Sequence, residues 1–186
     1  RRMKYYPKVT GERIYLSPIC PDDAGTYTRW LNDPEITNRL GNSTQVFSLL
    51  KERKLLEELA QEGPNFAIIR GADDTLLGNI SFFGHDAIQR RAECGLFIGA
   101  AESRGQGYGT EALRLLLHYG FGILNLHNVM LRVFSFNHQA ITCYEKVGFK
   151  RMGARRQAYT LHGVTHDEVY MDILASEFQP GEGGYC

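Results

Sequence analysis

The chain carries no excess charge of either sign: 21 lysines and arginines are matched by 21 aspartates and glutamates in 186 residues. Without a basic surplus there is no general attraction to nucleic acid or to an anionic membrane, so any basic patch is local. No apolar run approaches the roughly 20 residues that cross a bilayer. The opening stretch RRMKYYPKVTGE also lacks the apolar core of a signal peptide. These absences make a cytoplasmic protein the expectation, with no nucleic-acid or membrane partner. The four cysteines, Cys20, Cys94, Cys143 and Cys186, contain no C-x-x-C pair, which argues for reduced thiols over a zinc site or disulfide framework. No H-E-x-x-H motif occurs among the histidines; His162 and His166 are four apart, but on a strand-turn segment, and no metal is expected. Linkers are missing too. No Pro/Gly/Ser-rich divider, repeat or low-complexity segment breaks the chain, so residues 1–178 are expected to form one domain, with QPGEGGYC at 179–186 a disordered tail.

What is present suits one core. A chain of this length buries roughly 70% of its unfolded surface. The run ERIYLSPI at 12–19 reads as a first strand, and Pro21 with two aspartates marks a helix start in CPDDAGTYTRWLND. Leucines at helical spacing in 45–63, relieved by Lys and Glu, predict a surface amphipathic helix that stops at Gly63. Two β-rich runs around the turn GADD predict a hairpin over 65–83, and RAECGLFIGA at 91–100 a further strand. A mostly buried helix is expected over 110–125, then a strand NVMLRVFSFN in which Val129, Leu131 and Val133 alternate with Met130, Arg132 and Phe134. A short helix follows between the cap Asn137 and the stop Gly148, and a closing hairpin turns at HGVTHD. The order predicts a mixed α/β sheet rather than a doubly wound one.

Between the strand at 91–100 and the buried helix lies SRGQGYGT, at 103–110. Alternating glycines let a backbone approach a ligand closely, and the amides that open a helix form an anion site. Two familiar phosphate loops do not fit. The glycines, Gly105, Gly107 and Gly109, are out of register with G-x-G-x-x-G, and no Gly-Lys-Ser/Thr ending exists. A nucleotide-binding module is therefore disfavoured.

Taken together, strand, Arg-Gly-Gln-Gly-Tyr-Gly, long helix, strand and the block NHQAITCYEKVGF resemble the GNAT acetyltransferase superfamily from about residue 12 to 174. HYGFGILNLHNVMLRV and HDEVYMDIL are most similar to its branch of ribosomal-protein N-terminal and spermidine acetyltransferases. The resemblance implies an acyl-CoA N-acyltransferase fold: a mixed, mostly antiparallel central sheet flanked by helices. It also implies acetyl-CoA as acyl donor and an amine as acceptor, a small molecule or a protein N-terminus. Arg104, Gly107 and Gly109 match the coenzyme A loop, so Gly105, Gln106, Tyr108 and Thr110 enter the cofactor site with them. The backbone of Leu96, Phe97 and Ile98 would receive the pantetheine arm as an added strand. Homodimers occur among such proteins, and a monomer is equally compatible with this chain.

The amine must lose a proton, since a free alkylamine has a pKa of about 10.4. Glu93 stands where several family members carry a catalytic glutamate; the alternative is a strand-end Glu paired with Arg90 or Arg91. Tyr144 matches the helix tyrosine that protonates the departing sulfur, although its spacing also fits a core aromatic. Asn137 matches a cofactor-contacting asparagine and equally a helix cap. Arg104 is a phosphate contact or a solvated loop cation. Cys143 has no basic partner in sequence and is expected to be a packed thiol, which favours direct transfer in a ternary complex. His118 and Trp30 are read as structural. Asp33, Glu35, Glu57 and Glu58 are candidates for an acceptor-attracting surface, and a catalytically silent acyl-CoA-binding regulator is the competing function.

Overall fold

The computed structural model describes residues 3–181. Eight strands form one sheet in the order β1-β2-β3-β4-β5-β6-β8-β7. They are β1 (Val9–Thr10), β2 (Ile14–Pro18), β3 (Asn65–Arg70), β4 (Thr75–Asp86), β5 (Arg91–Ile98), β6 (Asn128–Phe134), β7 (Lys150–Leu161) and β8 (Val164–Leu174). Every neighbouring pair is antiparallel except β5 with β6. The helices are α1 (Ala24–Leu31), α2 (Pro34–Leu40), α3 (Leu49–Gln61), α4 (Tyr108–Gly122) and α5 (His138–Val147).

Along β2 and β3 both faces of the sheet are buried, whereas β7 is exposed over almost its whole length, and side-chain alternation sorts residues between the faces. Along β3, Phe66 and Ile68 pack with α4 in one core, whereas Ala67 and Ile69 pack with Tyr27 of α1 and Leu56 of α3 in the other. Leu113, Leu115, Leu116 and Leu117 are all fully buried, as the apolar circumference of that helix requires. Local signals explain the ends of the short helices. Asn137 accepts from the Ala140 amide at 3.3 Å, and Gly148 ends α5 with φ 116°. Such a cap is worth about 1 kcal/mol.

Two elements depart from the expected order. The strand β1 is only two residues long, too short for a period to register. Helix α2 has seven residues, with Asp33 accepting from the Glu35 amide at 3.0 Å, Pro34 in its first turn and Gly41 left-handed behind it. Its cap signals are present in the sequence; its length denies it a hydrophobic period. The final hairpin starts at Lys150 and turns, as expected, within HGVTHD, through His162 and Gly163, both at positive φ. At the start of the expected tail Arg114 donates to the Gln179 carbonyl at 3.4 Å; residues 182–186, with Cys186, lie outside the described ones. The described cysteines, Cys20, Cys94 and Cys143, are free thiols. No helix among the described residues is long and apolar enough to cross a membrane.

One irregularity positions the site. The parallel pairing of β5 with β6 is confined to Arg91, Ala92 and Glu93 against Asn128, Val129 and Met130. Beyond that point β5 stays with β4 as far as Ile98, and β6 stays with β8 as far as Phe134. The sheet therefore splits open.

Candidate active site

A cavity of about 790 Å³ fills the split. Its walls are β5 from Glu93 to Ile98, β6 from Arg132 to Phe134, the glycine loop, and Asn137, Ala140, Cys143 and Tyr144 of the α5 region.

The glycine loop is shaped by backbone alone. Gly105 has φ 71° and Gly107 φ 84°, a region that side chains with a Cβ occupy only under strain. Gly107 caps α4 without a side chain. Among the described residues no acceptor is bonded to the amides of Gly107, Tyr108, Gly109 and Thr110. Free donors at the positive end of a 15-residue helix are what a pyrophosphate requires.

Strand direction decides which backbone groups of β5 meet a ligand. An ideal Cβ on Gly78 of β4 would lie 1.9 Å from the Phe97 carbonyl oxygen, and the Gly99 amide donates to Leu77 of the same strand at 2.8 Å. The odd-numbered residues thus turn their backbone to β4, and the even-numbered ones turn theirs to the split. Leu96 and Ile98 are placed as the pantetheine arm would need. Phe97 is not: its backbone serves β4, and its ring makes edge contacts with Tyr27 and Trp30. Trp30 is thus a core anchor, as expected.

Arg104 is engaged inward. Its guanidinium donates to the carbonyls of Ile98 (3.2 Å) and Gly99 (3.0 Å) and to Glu35 (3.1 Å), with Asp33 at 3.9 Å. It ties the loop to the end of β5 and to α2 instead of projecting toward solvent. Asn137 lines the cavity while its side-chain oxygen caps α5.

The two chemical candidates lie on opposite faces of the split sheet. Tyr144 packs against the α4 core and has no hydrogen-bond partner for its hydroxyl among the described residues. Burial, aided by the neighbouring thiols Cys94 and Cys143, pushes its phenol far above the ordinary range, so it stays protonated. Glu93 shares the other face with Arg132, whose Nε donates to its Oε1 at 2.6 Å. Glu168 stands 3.8 Å from the same guanidinium and accepts from Tyr170 at 2.9 Å. The ion pair considered for Glu93 thus exists with a different partner, because Arg90 bonds the Asn125 carbonyl and Arg91 lies by Asp86. Cys143 is also on the wall, 3.1 Å from the Thr110 hydroxyl, and burial raises its thiol pKa. It is a protonated thiol and a poor nucleophile.

Arg132 and Glu168 escaped the sequence reading. Arg132 had a signal, as the single charged residue in an alternating apolar strand, but its partners come from β5 and β8 through sheet pairing. Of the four acidic acceptor candidates only Glu35 lines the cavity, paired to Arg104; Asp33 caps α2, and Glu57 pairs with Arg53 at 3.5 Å. Glu57 and Glu58 are on α3, outside the wall. No group of three or more potential metal ligands occurs among the described residues.

The geometry is a cleft in a split sheet with the unbonded amides of a helix start at one end. Comparison with known proteins gives that architecture its family: residues 13–150 match the model of the acetyltransferase (GNAT) domain. The chain belongs to the GNAT acetyltransferase family. It is 28% identical over 172 residues, 90% of this chain and 96% of the other, to the uncharacterized N-acetyltransferase p20 of Bacillus licheniformis. A spermidine N(1)-acetyltransferase of Vibrio cholerae is 32% identical over 111 residues, 60% of this chain and 64% of that one. The crystal structure of spermidine N-acetyltransferase from Vibrio cholerae in complex with CoA and spermine covers 90% of this chain and 98% of its own at a TM-score of 0.81 and 24% identity, which shows the shared fold.

Proposed function

We propose that this protein transfers an acetyl group from acetyl-CoA to a primary amine, a small molecule or a protein N-terminus, by direct attack in a ternary complex. The observation that carries the reading is the split between β5 and β6, with Glu93 on one face, the Tyr144 hydroxyl on the other, and the uncapped amides of Gly107 to Thr110 at its end. Bound acetyl-CoA supplies the acetyl thioester, with its phosphates on those amides and its arm beside Leu96 and Ile98. An amine entering on the Glu93 face arrives mostly protonated. One of its two surplus protons goes to solvent before attack and the other to Glu93, directly or through water, as the C–N bond forms and the C–S bond breaks, while Arg132 fixes the orientation of the carboxylate. The Leu96 amide, turned to the split, is a donor for oxygen charge that develops there. Tyr144, held protonated by burial, delivers a proton on the sulfur side. Cys143 takes no part.

The wall carboxylates Glu93 and Glu168 share Arg132, and Glu35 shares Arg104 with Asp33, so each cluster keeps a partly neutralised negative charge that suits amines in general and selects no one class. Coenzyme A release from acetyl-CoA should therefore be measured against peptides with free N-termini, spermidine, spermine, amino acids and aminoglycosides. Turnover with one class supports the proposal and names the acceptor. Tight acetyl-CoA binding with no turnover on any class would favour the silent acyl-CoA-binding regulator.

A further inference from the structure

We infer that Arg13, just ahead of β2, is a positioning residue that holds the glycine loop in its ligand-receiving shape. The inference rests on the reading of the cavity as a coenzyme A site. Arg13 is not part of the cavity wall; it braces the loop from behind, across 93 positions of sequence. Its Nη1 donates to the Gln106 carbonyl at 2.9 Å and its Nε to Glu111 Oε2 at 3.1 Å. Its plane lies over the Tyr108 ring at 4.6 Å, a cation–π contact. Its Nη2 sits 3.1 Å from where a Cβ on Gly107 would be. The opposite oxygen of Glu111 accepts from the backbone amides of Arg13 (2.9 Å) and Ile14 (3.3 Å). One guanidinium thus touches the residues on both sides of Gly107 and the first turn of α4.

A loop with glycines at 105, 107 and 109 has little intrinsic preference for one conformation, and ordering it on binding would weaken affinity. Arg13 removes much of that freedom before the ligand arrives. Gln106 cannot swing its carbonyl toward the phosphates, where it would repel them, without breaking the Nη1 bond. Glu111 in turn is anchored to β2, so α4 and its amides are registered against the sheet that carries Leu96 and Ile98. The task needs the planar two-point fork of arginine; a lysine supplies the charge without the geometry.

Calorimetric titration with coenzyme A of the wild-type chain, Arg13→Ala and Arg13→Lys tests this, together with amide exchange of the ligand-free proteins. Arg13→Ala should weaken coenzyme A on the order of tenfold, equivalent to about 1.4 kcal/mol. Arg13→Lys should recover little of the loss, and exchange should accelerate at residues 105–110 in both variants while amides deep in α4 and β5 keep their protection. Should Arg13→Ala fail to fold, Arg13→Lys and Glu111→Gln carry the comparison, with a smaller loss expected for Glu111→Gln. Wild-type affinity in Arg13→Ala, full rescue by lysine, or faster exchange throughout α4 and β2 would each overturn the assignment. A wild-type chain that binds no coenzyme A would overturn the proposed function itself, and this inference with it.

Discussion

The two ends of the cavity are built on different principles. Under the proposed function, the ligand-facing groups at the glycine loop are backbone amides, and the side chains Arg13 and Glu111 stand behind them. At the end proposed for the acceptor the groups are side chains in cross-strand ion pairs: Glu93 on β5, Arg132 on β6 and Glu168 on β8. A loop of backbone donors recognises phosphate, a feature of every coenzyme A thioester whatever its acyl group. A surface of paired side chains changes with each substitution, which suits it to distinguish one amine from another.

The sharpest break of this contrast is Gly107→Val. At φ 84° a branched side chain is strained, and its Cβ would meet Arg13 Nη2 at 3.1 Å. Coenzyme A affinity should fall by two orders of magnitude or more, about 2.7 kcal/mol and above, in a protein that still folds, its melting temperature lowered by about 2–10 °C through the strain at this position. Unaltered affinity would remove the loop from the site. At the other end, Glu93→Gln should lower kcat/KM for the amine by roughly a hundredfold, with coenzyme A affinity held. If the pH–rate profile is the same in both proteins, the proton goes elsewhere. Tyr144→Phe is expected to have the smallest effect, about tenfold in kcat, again with cofactor binding intact. Its pH dependence has a definite sign. Because burial raises the phenol pKa, the acid form persists to higher pH than in a free tyrosine, so Tyr144 should impose no alkaline loss of rate up to pH about 10. An alkaline limb near neutrality that vanishes in Tyr144→Phe would contradict the environment described for it.

Sequence reasoning succeeded best where structure is local. The loop 103–110, the cap Asn137 and the stop Gly148 announce themselves within a few residues, because turn and cap chemistry acts through neighbouring backbone. It was blind where function depends on pairing across the sheet. The ion-pair alternative for Glu93 offers Arg90 or Arg91, because nothing in the sequence shows that β6 runs beside β5 and carries Arg132. Phe97 was included with Leu96 and Ile98 because a run of residues does not say which carbonyl faces which neighbour. That follows only from the antiparallel register with Gly78 on β4. Arg104 presents the reverse case: a cation in a phosphate-binding motif whose donors are already engaged by Ile98, Gly99 and Glu35.

By itself, then, the sequence determined the order of the longer strands and helices and the presence of a glycine turn ahead of the buried helix, since periodicity, capping and glycine conformation are properties of adjacent residues. Only the tertiary structure decided that β5 and β6 part after Glu93, that Glu93 meets Arg132, and that Arg13 stands behind Gly107. Those contacts join residues between 39 and 94 positions apart, and their energies exist only once the chain has closed the loops between them.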